Sequence, residues 1–125
     1  MDVSRARFEA LVGEALDTIP EELARLIDNC VVVVEEWPSD DQLRDSETPP
    51  GETLFGIYEG IDLTSRSPLD YAGVLPDRIV VFMGPHLEVA ESEADLAEEI
   101  RVTVVHEIAH HFGIDDDRLH ELGWG

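Results

Sequence analysis

Apolar residues recur at helical spacing near the start of the chain. From about Ser4 to Thr18, the residues Phe8, Leu11, Val12, Ala15 and Leu16 fall on one face of a helix. Pro20 suits the first turn of a second, short helix, where its missing N–H costs nothing, and Leu23, Leu26 and Ile27 would be that helix's buried side. The pattern then changes. Cys30 to Glu35 is a short β-branched run and predicts a buried strand. Thr53 to Ile61 predicts a second strand, broken by glycines, and Asp77 to Met83 a third, closed by Gly84-Pro85. The longest helix opens at Ser92, a good N-cap. Glu93 and Asp95 follow in the first turn, where carboxylates complement the helix dipole. It runs to about Phe112, and Gly113 stands where a helix end favours a left-handed residue.

Between these elements, Pro38 to Glu52 and Ser65 to Leu75 are rich in Pro, Ser, Asp and Gly and predict loops. The first reads as a plain connector before it reads as a lip over a cleft. Helices, then strands, then a helix predict an α+β domain. A chain of 125 residues fits a single domain spanning residues 1–125.

Charge narrows the function classes. The formal net charge is -21, and all eight basic residues are arginine. Such a surface repels nucleic-acid phosphates and anionic membranes, so neither is expected as a partner. It suits a basic substrate or partner, although a solvated acidic face is the plainer reading. Cys30 is the only cysteine, which rules out an intrachain disulfide, and beside four valines it reads as a small core residue. No apolar run resembles a signal peptide or approaches a membrane span, so a cytoplasmic monomer is expected.

The chemistry lies in His106-Glu107-Ile108-Ala109-His110, near the end of the long helix. Residues four apart share a helix face, so the two imidazoles can converge on one divalent metal, for which zinc is the natural choice. Glu107 can reach a water on that metal without being a ligand, which is the mechanical sense of the HExxH spacing. The run continues through Gly113 to Asp116 and fits HExxHxxGxxD. Gly113 would let the chain turn back so that Asp116 supplies a third ligand from a loop. Asp115, Asp117 and His120 remain alternatives, with unused members of the run acting as helix caps or solvated charges. Two histidines and one carboxylate would leave a fourth position for water, whose proton Glu107 could take and pass to a leaving amine. His111 points away from His110 and reads as a surface or outer-sphere residue, and His86 as a loop residue. Arg78 and Arg118 could pair with the aspartates near the metal or form plain surface ion pairs. Tyr58 reads as a core tyrosine before an oxyanion donor.

The extended motif resembles that of the small bacterial zincin-like metallopeptidases. So do Arg118-Leu119-His120-Glu121-Leu122-Gly123, Leu54-Phe55-Gly56-Ile57-Tyr58-Glu59-Gly60 and Leu75-Pro76-Asp77-Arg78-Ile79. The resemblance implies a minimal zincin fold: a small mixed sheet, an N-terminal backing helix and the HExxH helix beneath a cleft. It implies zinc held by His106, His110 and Asp116, with Glu107 catalytic, and an extended peptide adding along strand 77–83 as a sheet edge. Unlike the related metzincins, the chain has no methionine after the third ligand. Only nine residues follow Asp116, so a shallow, open cleft is expected. Three readings compete: a zinc peptidase of unknown specificity, a metal-binding interaction module without peptidase activity, and an HExxH helix that holds no metal.

Overall fold

The computed structural model describes residues 2–27, 30–59 and 77–121, apart from the side chain of Asp116. The expected loop at 65–75 and the end of the second predicted strand lie outside these residues. Helix α1 (Arg5–Asp17) starts where the Ser4 hydroxyl accepts the N–H of Arg7, and it buries Phe8, Leu11, Val12 and Ala15. Pro20 is the N-cap of α2 (Glu21–Ala24) rather than a residue of its first turn. A 3₁₀ turn (Arg25–Ile27) follows, and in it Leu26 is exposed, not buried as its spacing implied.

Strand β1 (Cys30–Glu35) pairs in parallel with β3 (Asp77–Phe82), with Val32 opposite Ile79. Strand β2 (Gly56–Glu59) pairs antiparallel with β3, with Tyr58 opposite Ile79. The order β1-β3-β2 puts β3 in the centre. This corrects the expectation that strand 77–83 is a sheet edge. The composition of β3 gives the reason: Ile79, Val80, Val81 and Phe82 are all fully buried, as befits a strand covered on both faces and paired on both sides. Among the described residues, β2 is an outer strand. Cys30 is only half-buried, and burial pushes its thiol pKa up.

Three short helices stand where none was predicted. Helix α3 (Asp40–Asp45) lies inside the expected 38–52 loop and opens with a reciprocal capping box between Ser39 and Gln42. Helix α4 (Met83–Val89) begins where Gly84-Pro85 suggested a stop. Pro85 falls in its first turn, where no N–H is required. Helix α6 (Asp116–Glu121) takes in Asp116, expected in a loop. The long helix α5 (Glu93–His111) has the predicted Ser92 cap, and Phe112 is its C-cap. Gly113 adopts φ 69°. The N–H groups of Gly113 and Ile114 return to the carbonyls of His110 and Ala109, which closes the helix in a Schellman turn.

Helices α1 and α5 pack on one another, and α5 also packs on β2 and β3. Between them lies a core built from Phe8, Leu11, Leu23, Ile79, Val81, Leu96, Ile100, Val104 and Ile108. The architecture is α+β, a small mixed sheet backed by helices. No helix among the described residues is long and apolar enough to cross a membrane.

Candidate metal centre

Helix α5 divides its faces by the four-residue repeat. Leu96, Ile100, Val104 and Ile108 are buried in the core. One step round, Thr103, Glu107 and His111 face β2. Another step round, His106 and His110 are exposed. Both line a cleft of about 730 Å³. Asp45 at the end of α3, Ser46 and Glu47 just beyond it, and Ile114 and Leu119 also line it. Part of the 38–52 segment, residues 45–47, therefore lines the cleft as well as connecting elements.

Glu107 is half-buried between the histidine face and β2. Its Oε2 accepts the backbone N–H of Tyr58 at 3.2 Å. Burial raises the carboxyl pKa, while the Tyr58 N–H and the nearby His110 oppose the rise. The strand reaches α5 this closely because position 56 is glycine. A Cβ there would stand 2.6 Å from Thr103 Cγ2 and 3.0 Å from the Val80 carbonyl oxygen.

Tyr58 is tied down at both ends. Its hydroxyl donates to Asp77 Oδ2 at 2.7 Å, and its ring stacks on His111 with centroids 3.7 Å apart. Burial and the bond to Asp77 raise the phenol pKa, so the hydroxyl stays protonated and committed to Asp77. His111 is exposed, as expected, but it is half of an aromatic contact that its sequence neighbours gave no sign of.

Glu47 has φ 60°, a left-handed conformation that side chains other than glycine and asparagine disfavour. Its N–H and that of Thr48 return to the carbonyls of Arg44 and Leu43, a second Schellman turn. The turn fixes Glu47 at the cleft. None of the described residues lining the cleft is an arginine.

The remaining candidates separate clearly. Asp115 Oδ1 accepts the N–H of Arg118 at 2.8 Å and caps α6, one of the roles expected for unused members of the acidic run. Asp117 and His120 are exposed, and Asp116 opens α6 with its side chain outside the described set. Arg118 pairs with Glu121, and Arg78 with Glu59 at 2.5 Å. His86 is not a loop residue. It is fully buried in α4, with Nδ1 2.7 Å from the Phe82 carbonyl and Nε2 2.9 Å from Thr103 Oγ1. Among the described residues no group of three or more ligating side chains forms.

Residues 27–124 match the sequence profile of the zincin-like metallopeptidases. The chain belongs to this family. The fold of this zincin-like protein is similar to that of a conserved hypothetical protein from T. thermophilus. The two share 25% identity over 88% of this chain and 94% of that one, with a TM-score of 0.57. No curated protein sequence matches significantly. Zincin-like family membership implies a zinc-binding metallopeptidase, and the donors present fit that metal. Two imidazoles stand one helical turn apart in a cleft, with no hydrogen bond or ion pair to another described residue, and neutral imidazole is a good zinc ligand.

Proposed function

We propose that this chain is a zinc-dependent peptidase acting as one domain, with the metal held by His106, His110 and Asp116 and with Glu107 as general base and acid. One observation carries the reading. The two histidines of the motif open onto the same cleft with no hydrogen bond from either ring to another described residue, and the carboxylate between them in sequence is held by a strand on the other side. Asp116 stands in the third-ligand place of HExxHxxGxxD, and Asp115 is already engaged with the Arg118 N–H, which favours Asp116 over Asp115 as the carboxylate that returns. Bound zinc would supply a Lewis acid that acidifies water and polarises a carbonyl.

The protein's own residues do the rest. Glu107 takes a proton from the attacking water and delivers it to the amine as the C–N bond breaks. Its half-buried position and raised pKa suit a group that must both accept and return a proton. Asp45 and Glu47, with no arginine among the described lining residues, favour a peptide with a basic residue near the scissile bond. Those carboxylates also support the second reading, a metal-binding module that docks a basic partner without cutting it.

The test measures zinc content and the hydrolysis of a mixed peptide library by the wild type and by Glu107→Gln. One zinc per chain, cleavage beside basic residues and loss of cleavage in Glu107→Gln are expected. Stoichiometric zinc with no cleavage would remove the enzyme and leave the module.

A further inference from the structure

The bond that orients Glu107 comes from outside its own helix. The donor is a backbone N–H of β2, so the distance and register of β2 against α5 decide where the carboxylate points. Short of proline, no substitution removes a backbone donor, so the contacts that place it are what side chains can adjust. Gly56 permits the close approach. The Tyr58 hydroxyl ties the strand back to β3 through Asp77. The contact that joins strand to helix beside Glu107 is the stack of Tyr58 on His111, with centroids 3.7 Å apart and planes 14° apart. His111 lies one turn beyond Glu107 on the same face of α5. The Phe112 ring braces the pair edge-on, 5.9 Å from Tyr58 and 4.9 Å from His111.

We infer that Tyr58 and His111 are positioning residues for Glu107: their ring stack holds β2 on α5 so that the Tyr58 N–H fixes the carboxylate. This rests on Glu107 being the general base. It assigns His111 neither a ligand's nor a proton carrier's role, because only its flat ring is used.

That distinction gives the test. In the zinc-loaded full chain, His111→Ala should lower kcat about 3- to 10-fold, the factor a stacked aromatic pair is worth. KM and zinc stoichiometry should stay unchanged. His111→Phe, which keeps a flat ring but no ring nitrogen, should restore kcat. Tyr58→Leu should reproduce His111→Ala.

A second readout needs neither metal nor activity. In the metal-free protein, hydrogen exchange of the Tyr58 amide, followed by NMR, should speed up in Glu107→Ala and in His111→Ala, and return to the wild-type rate in His111→Phe. Unchanged exchange in either alanine variant would overturn the inference. So would a His111→Phe enzyme as slow as His111→Ala. If the wild type cuts no peptide, the peptidase reading fails, and the exchange rates still decide whether the stack holds the carboxylate.

Discussion

His86 and the pair His106–His110 use the same side chain in opposite ways. His86 is fully buried, with ring nitrogens 2.7 and 2.9 Å from the Phe82 carbonyl and the Thr103 hydroxyl. Its ring meets those of Phe8 and Phe55 edge-on. Burial lowers its pKa, so it stays neutral in the fold. The other two are exposed in a cleft, one helical turn apart, without a hydrogen bond among the described residues. Helix α5 serves both arrangements: Thr103 takes one nitrogen of His86, and the next turn presents His106 and then His110. A histidine whose nitrogens are both occupied is a structural polar link, and one whose nitrogens are unengaged in a cleft is available for a ligand.

The largest effect that would break this comparison is at Glu107. Glu107→Gln should reduce peptide hydrolysis by about 10²- to 10⁴-fold, the usual worth of a general base, with zinc content unchanged. A loss of zinc as well would mean that Glu107 helps to form the metal site. Next is His86→Ala, which removes a buried ring and leaves the Thr103 hydroxyl without its partner. It should destabilise the protein by about 2–4 kcal/mol in chemical denaturation. A near-neutral result would mean that His86 is not a structural link.

The smallest effect is on pH dependence. His86 in the folded state has a pKa below the ordinary 6.5, so the unfolded chain binds its proton more readily. Its contribution to stability is complete above about pH 6.5 and is lost as the pH falls through the lowered folded-state value. Between pH 7.5 and 5.5 the metal-free wild type should therefore lose more stability than His86→Gln. Every other group is common to the two proteins, so the difference between them isolates His86. Equal losses would contradict the buried, neutral assignment.

The features legible in the sequence are those that local spacing controls. The Ser92 cap, the length of α5, the Gly113 turn and the i, i+4 histidines all follow from residues within two turns of one another. The short helices α3, α4 and α6 span only six or seven residues, too few for an apolar period to declare itself. Ser39 with Gln42 three residues later was the available sign of α3, outweighed by the surrounding Pro, Ser and Asp. At Gly84-Pro85, a proline read as a stop is acceptable in a first turn, so the helix around His86 went unseen. The central place of β3 and the Tyr58–His111 stack join residues distant in sequence, and no local pattern encodes them. The Glu107 anchor was hidden for the same reason, since its donor is a backbone N–H of a strand 49 residues away.

The central claim is that the uncommitted pair, and not the buried histidine, carries the metal. Titration of metal-free protein with zinc tests it directly, using the wild type, His106→Ala, His110→Ala and His86→Gln. The account predicts one zinc per wild-type chain, affinity reduced about 100-fold or more in each variant of the pair, and wild-type affinity in folded His86→Gln. Wild-type protein that takes up no zinc, or His106→Ala and His110→Ala proteins that bind it as tightly as the wild type, would contradict the account.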